Sequence, residues 1–424
     1  MNTNQLLAYL DTPPARAALD RLYAGNGAAA LARYQALVHA HEAHFGPRDG
    51  VKLCSAPGRA EIAGNHTDHN HGRVLAAAVN LDTLAAVSPN DTGVVTLYSE
   101  GYAAPFVLSL SDLSARPDER ETTNALIRGV AARLKEEGLA IGGFDAVVTS
   151  TVFKGSGLSS SAAFEVMLCE VFDALYGGMR LDKQQRARIS QFAENQYFGK
   201  PSGLLDQMAS SVGGLVTMDF KESPAHIEAL SYDFAHKGYQ LAVVSAGGDH
   251  GNLTSEYAAI PHEMKLVAQA LGASVLRDIA PEAMMDAIPR LKNVVPDRAI
   301  LRALHFYDED ARIAQLVASL KSDDLPSFLQ GIIDSGESSW KLLQNLSVAG
   351  SANQEMALAL ELSRRMLAGR GAWRIHGGGF AGTILAFVPT ELLAPYARHM
   401  DAVFGPGACT PLAVRPVGPY TLPE

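Results

Sequence analysis

The sequence predicts an α/β chain of more than one domain, and three observations carry that expectation. At 424 residues the chain exceeds what a single hydrophobic core usually organises. Short apolar runs that read as buried strands alternate with longer stretches whose apolar residues recur at helical spacing. The composition, 47% hydrophobic and 19% charged, is that of a globular protein and carries none of the bias that marks disordered or fibrous chains.

Taken in order, residues 19–45 read as helix, and 51–53 and 75–79 as buried strands around a polar, glycine-rich loop at 58–72. Residues 125–136 read as an amphipathic helix, 144–152 as a strand and 159–176 as a helix whose Phe164, Met167, Leu168, Val171, Phe172 and Leu175 share one face. A strand follows at 240–245, then long helical patterns over 257–368, and a glycine run at 375–387 leads into an apolar strand. No internal repeat or low-complexity linker interrupts the chain. A boundary near residue 215 divides it into expected domains 1–215 and 216–424.

A net charge of −10 argues against a nucleic-acid partner, since affinity for a phosphate backbone needs clustered Lys and Arg. The three cysteines, Cys54, Cys169 and Cys409, are odd in number and far apart, which fits a reduced compartment and offers no zinc-ribbon spacing. Residues 1–10 lack a basic region followed by an apolar stretch, and the longest apolar run, 74–87, is broken by Asn80 and Asp82. A cytoplasmic protein with no membrane partner is expected.

The most informative motif is Gly155-Ser156-Gly157-Leu158-Ser159-Ser160-Ser161-Ala162-Ala163, a glycine turn running into a helix. Backbone N–H groups at a helix start, reinforced by the helix dipole, cradle phosphates where small residues allow close approach. Serine hydroxyls add donors and a possible magnesium ligand. No Gly-Lys-Ser/Thr follows, so this is not a Walker-type loop; the plain alternative is a Ser/Gly helix cap.

An earlier segment, from Pro57 through Gly58-Arg59-Ala60-Glu61-Ile62-Ala63-Gly64-Asn65-His66-Thr67-Asp68-His69-Asn70-His71-Gly72, packs an Arg, three His and an Asp together. Recognition of a polyol is the leading reading, because imidazole and carboxylate supply paired donors and acceptors for sugar hydroxyls. A metal site and a solvated loop are the alternatives. His39, His41 and His44 read as the solvated face of a helix. A third segment, His376-Gly377-Gly378-Gly379-Phe380-Ala381-Gly382, is uninformative alone, since glycine runs also serve plain turns.

In this order the segments resemble the signature motifs of the GHMP kinases, most closely those of the galactokinase branch. That branch's first motif, GRVNLIGEHTDYNGG, stands here as GRAEIAGNHTDHNHG; its GLSSSA is identical; its TGGGFGG is HGGGFAG. Ala193-Glu194-Asn195-Gln196, Gly203-Leu204-Leu205-Asp206-Gln207 and Ser255-Glu256-Tyr257 extend the resemblance, which runs from about residue 51 to 387. It implies an S5-like amino-terminal domain, a ferredoxin-like carboxy-terminal domain and a cleft between them holding ATP, Mg²⁺ and a hexose.

The resemblance also implies roles. Asp206 would face the anomeric hydroxyl as base or orienting group, and Arg59 beside it would keep that carboxylate ionised. Gly155, Ser156, Gly157, Leu158, Ser159, Ser160 and Ser161 would line the nucleotide phosphates, with Ser161 and Glu194 as metal ligands. Asn65, His66, Asp68, Gly203, Tyr257, Gly378 and Gly379 would lie along the sugar. Galactose is the expected acceptor, phosphorylated at C1.

Departures from the pattern keep alternatives open. Asn65 stands where the branch has Glu, Glu61 where it has Asn, and His69, His71 and His376 replace Tyr, Gly and Thr. An amide and added imidazoles would suit a substrate with its own carboxylate, so a galacturonate kinase is one alternative. A silent, sugar-sensing relative is another.

Overall fold

The computed structural model describes residues 1–152, 157–247, 253–348, 350–380 and 382–423. The chain opens with α1 (Thr3–Leu10), α2 (Pro13–Leu22) and α3 (Gly27–Phe45). The one helix expected over 19–45 is thus two, because Ala24 takes a left-handed φ of 51° that no helix continues through. His41 on α3 is also not solvated: it is fully buried, with Nε2 3.2 Å from Ser88 Oγ. That side of α3 packs onto the sheet below it.

β1 (Lys52–Ala63) and β2 (Arg73–Asn90) are long, antiparallel partners. Residues 58–63 of the expected 58–72 loop are therefore strand, and only Gly64 to Gly72 connects the two. The period of two is hidden in the sequence because β1 is buried on both faces, with Arg59 and Glu61 inside it. β3 (Val94–Ser99), β4 (Phe106–Ser109), α4 (Thr123–Glu136), β5 (Gly143–Ser150), α5 (Ser160–Phe172), α6 (Lys183–Phe192), α7 (Leu205–Val212), β6 (Leu215–Asp219) and β7 (His226–Leu230) follow.

The rest comprises β8 (Tyr239–Gly247), α8 (Thr254–Ala270), α9 (Pro281–Leu291), α10 (Asp297–Lys321), α11 (Leu325–Ser338), α12 (Glu355–Leu367), β9 (Ala372–His376), β10 (Gly382–Pro389), α13 (Thr390–Phe404), β11 (Cys409–Leu412) and β12 (Tyr420–Leu422). Two sheets result. The larger has the order β12-β1-β2-β5-β3-β4, with β6 added to β2 and β7 to β6; the smaller has the order β11-β8-β10-β9. Chain from both sides of residue 215 thus enters the larger sheet.

Each sheet is covered. Ile127, Val130, Val166 and Phe172 of α4 and α5 bury one face of the larger sheet against Val87, Val95 and Phe144. Leu19, Tyr34 and Leu37 of the first helices bury the other face against Leu53, Leu84 and Val147. A third core joins the two sheets, packing Ala60, Ile62 and Leu75 with Val243, Leu385, Phe328 and Leu316. That junction holds the functional end of β1 against the second half of the chain. The three cysteines are buried and unpaired, and among the described residues no helix is long and apolar enough to cross a membrane.

Candidate active site

β1 shifts register against β2 between Pro57 and Arg59 and again between Glu61 and Ala63. Such irregularities re-aim side chains and favour functional strands. Arg59, only 5% exposed, directs Nε to Asp206 Oδ1 at 2.6 Å and donates from Nη1 to the Gly157 carbonyl. Asp206 lies in the first turn of α7, where the helix dipole favours an anion. Its Oδ2 accepts from the Ser159 hydroxyl. Burial pushes the Asp206 carboxyl up, but the Arg59 guanidinium, the Ser159 hydroxyl and the Lys200 ammonium outweigh it and hold the carboxyl below its usual value. Asp206 is ionised at neutral pH.

Ser159 itself has a left-handed φ of 56° and makes no capping bond to α5. Its hydroxyl is committed to Asp206, so the plain helix-cap reading does not describe it. The first N–H groups of α5 therefore lack a side-chain cap from Ser159, at the positive end of a 13-residue helix. Gly157, at φ 69°, passes so close to Thr383 that a Cβ would collide with its hydroxyl. Leu158 is a core residue whose carbonyl accepts the Arg59 N–H at 3.2 Å, while Ser160 and Ser161 are partly exposed. Gly155 and Ser156 lie outside the described residues.

Ser161 Oγ donates to Glu194 Oε1 at 2.9 Å. Glu194, in a π-type turn (Ala193–Phe198) continuing α6, is buried; its Oε2 accepts from Gln207 Nε2 at 2.7 Å, and Lys200 Nζ stands 3.3 Å from Oε1. Two adjacent oxygens, one anionic, fit a hard cation such as Mg²⁺, and a cationic ammonium already sits on the same oxygen. The buried Oε1 atoms of neighbouring Glu165 and Gln207 have no partner. Among the described residues no cluster of three or more His, Cys, Asp or Glu could hold a metal, so an ion here would draw its other ligands from phosphate and water.

Across from these groups lies the connection between β1 and β2. His66 Nε2 is 3.1 Å from the Gly378 carbonyl, and its ring stacks 5.8 Å from that of His69. Burial, then His69, lowers the His66 pKa to about 3, leaving a neutral imidazole that donates. Asp68 abuts Gly203 so closely that any Cβ there would collide with Asp68 Oδ2. Tyr257, in the first turn of α8, donates to the Gly379 carbonyl at 2.8 Å and meets Phe380 edge-to-face with ring centres 5.5 Å apart. The strands and helix starts thus gather Arg59, Asp206, Ser159 and Gly157 into one cluster and His66, Tyr257, Gly378 and Gly379 into another.

Asn65 belongs to neither cluster. It is fully buried; Nδ2 donates to Glu61 Oε1 and to the Gly377 carbonyl, each at 2.7 Å, and Oδ1 accepts from Asn345 Nδ2 at 2.8 Å. With both amide hydrogens engaged, it offers no donor to a substrate carboxylate. His376 is likewise interior, accepting the Glu61 N–H at Nε2 (3.1 Å) and facing Thr383 Oγ1 with Nδ1 (3.1 Å). Burial, then Arg59 and Arg374, keep its pKa well below the usual value, so it does not protonate beside an anion as its sequence position suggested. Three of the departures from the family pattern, Glu61, Asn65 and His376, are therefore one packed network, completed by Arg374 Nη2 at 3.4 Å from Glu61 Oε1.

Lys200, Thr383, Asn345 and Arg374 escaped the sequence reading. For Lys200 a signal existed, a lysine between the Glu194 and Asp206 segments; Asn345 and Arg374 lie in unremarkable helical and strand patterns.

Comparison with known proteins bears on the family and the fold. The model of the GHMP kinases N terminal domain matches residues 125–214, and that of the galactokinase galactose-binding signature matches residues 39–89. A solved structure of Lactococcus lactis galactokinase complexed with galactose superposes with a TM-score of 0.79 at 22% identity, covering 91% of this chain and 98% of that one. The fold and the matched domain define a GHMP kinase, an ATP-dependent sugar kinase. A galactokinase of Streptomyces coelicolor is 34% identical over 82% of this chain and 88% of its own length, and one of Glaesserella parasuis is 29% identical over the same shares. On these grounds the chain belongs to the galactokinase family.

Proposed function

We propose that this chain transfers the γ-phosphoryl group of ATP to the anomeric hydroxyl of galactose, giving galactose 1-phosphate and ADP. The observation that carries the reading is the 2.6 Å ion pair of Arg59 with Asp206, bonded through Ser159 to the start of α5. It sets an ionised carboxylate beside a phosphate-binding helix terminus. The site draws on residues 1–215 for Arg59, Ser161, Glu194 and Asp206 and on 216–424 for Tyr257, Gly378 and Gly379, as two domains closing on a cleft would.

In this reading the backbone of Gly157 to Ser161 holds the nucleotide phosphates, and the family motif adds Gly155 and Ser156 to that role. Ser161 and Glu194 would hold Mg²⁺, which would neutralise phosphate charge. His66, Asp68, Tyr257 and the backbone at Gly203, Gly378 and Gly379 contact sugar hydroxyls, and Asn65 acts from behind by fixing the glycine run. The anomeric oxygen bonds to the γ-phosphorus, the bond to the β–γ bridging oxygen breaks, and ADP leaves with that electron pair. Asp206 orients the hydroxyl and takes its proton late, which suits both its lowered pKa and a loose transition state.

Galactose is favoured over galacturonate because the Asn65 amide is fully engaged and His376 is buried and neutral, so neither of them greets a second carboxylate. The test is ADP production with Mg-ATP against galactose, galacturonate, glucose and N-acetylgalactosamine. Galactose should dominate. Dominant galacturonate turnover would replace the substrate, and silence with every sugar would favour the sensing alternative.

A further inference from the structure

We propose that Lys200 is a catalytic residue of this chain, the cation that meets the γ-phosphoryl group as it passes from nucleotide to sugar. The inference rests on the phosphoryl-transfer reading above. The loop carrying Lys200 joins the Glu194 turn to α7, which carries Asp206, so it spans the metal side and the acceptor side of the site. Its backbone is pinned: the N–H groups of Gly199 and Lys200 donate to the Glu194 carbonyl at 2.9 and 3.2 Å, and Ser202 N–H donates to Asn195 Oδ1 at 2.8 Å.

The side chain, by contrast, is 59% exposed, and among the described residues its ion pair is the 3.3 Å approach to Glu194 Oε1. Its charge acts on Asp206 and on the Tyr257 hydroxyl as well as on Glu194. One ammonium, in contact with a group assigned to the metal, is thus felt by groups assigned to the acceptor and the sugar. Arg59 is already partly committed, with Nε held by Asp206 and one Nη1 hydrogen by the Gly157 carbonyl, which leaves room for a second cation. A transferring phosphoryl group spreads charge over three oxygens and is stabilised by positioned cations rather than by covalent chemistry. A compact ammonium on a flexible stem suits such a moving target better than a fixed guanidinium fork. Lys200 forms and breaks no bond; the proton goes to Asp206 and the electron pair to ADP.

The experiment compares wild type with Lys200→Met and Lys200→Arg. In Lys200→Met, kcat should fall by ~100-fold, the cost of removing one preorganised transition-state donor, while KM for galactose holds within about twofold. Titration calorimetry with Mg²⁺ present should show a non-hydrolysable ATP analogue binding about tenfold more weakly and ADP unchanged, since only the γ-phosphate reaches the lysine. Lys200→Arg should recover part of kcat. Unchanged kcat in Lys200→Met, equal weakening of ADP and the analogue, or a failure of Arg to recover activity in a variant that melts like wild type would each overturn the proposal. A wild type that yields no ADP with any sugar would instead remove the reading beneath it.

Discussion

Asn65 Nδ2 lies 2.7 Å from Glu61 Oε1, and the pair is shut away between β1, the glycine run and α11. The galactokinase pattern has Asn and Glu at these positions in the opposite order, so the amide–carboxylate pair survives with its members exchanged. Asn65→Glu would set two carboxylates together in the interior, where Glu61 is already pushed up by burial. We expect a loss of about 3 kcal/mol or more, as for a broken buried pair, and recovery of most of it in the double exchange Glu61→Asn with Asn65→Glu. Denaturant unfolding of the wild type, the single variant and the double exchange tests this; an undiminished single variant would show the pair to be unimportant.

Asp206→Ala should reduce kcat by at least ~10²-fold and leave nucleotide binding intact, because the carboxylate serves the acceptor. Turnover near wild type would remove Asp206 from the mechanism.

The acid limb of activity should follow the same residue. Asp206 is held below the usual aspartate value with Arg59 as the principal opposing charge to burial, so kcat/KM should stay high as pH falls through the ordinary carboxylate range. In Arg59→Met the burial effect is unopposed at that contact, and the limb should move to higher pH alongside a lower plateau. A limb that stays in place would separate Arg59 from the ionisation of Asp206.

Glu309 makes the interior pH-sensitive. Burial raises its pKa, but Arg312, His305 and Arg374 overcome this and lower it to about 2. Because the folded value is depressed, the stabilisation is complete above the unfolded pKa of about 4.3 and is lost as pH falls from there toward 2. The contribution is ~3 kcal/mol. Since Glu309 Oε1 accepts the Gly64 N–H at 2.9 Å, the β1–β2 connection should loosen with it, and Glu309→Gln should flatten the stability profile between pH about 4 and about 2.

Gly203→Ala would drive a methyl group into Asp68. KM for galactose should rise about tenfold with KM for ATP unchanged, the pattern of lost acceptor binding. Steady-state kinetics with each substrate varied would check it.

Most of the architecture was legible in the sequence where one face of an element is buried, as in α10, or where turn residues stand at its end. It failed at β1, whose burial on both faces erased alternation, and at Ala24, where an ordinary residue takes a left-handed φ. The site was legible as motifs because its residues cluster in sequence: Arg59 with His66 and Asp68, Ser159 with Ser161. What sequence could not show was direction. Nothing local says that Asn65 points inward to Gly377, or that the Ser159 hydroxyl leaves its helix for Asp206; those orientations depend on partners up to 312 residues away.

The pairing of β12 with β1, Leu53 opposite Leu422 and Ser55 opposite Tyr420, bears on how the enzyme is made. The strand that delivers Arg59 leaves the ribosome well before its partner, because its outer edge is covered by residues more than 360 positions later. Until Tyr420 to Leu422 have been synthesised that edge has open hydrogen-bonding groups, a template for another chain. A polypeptide stopped before β12 would therefore expose the catalytic strand to aggregation, and the segment that protects it would act as a quality mark that synthesis has passed that point.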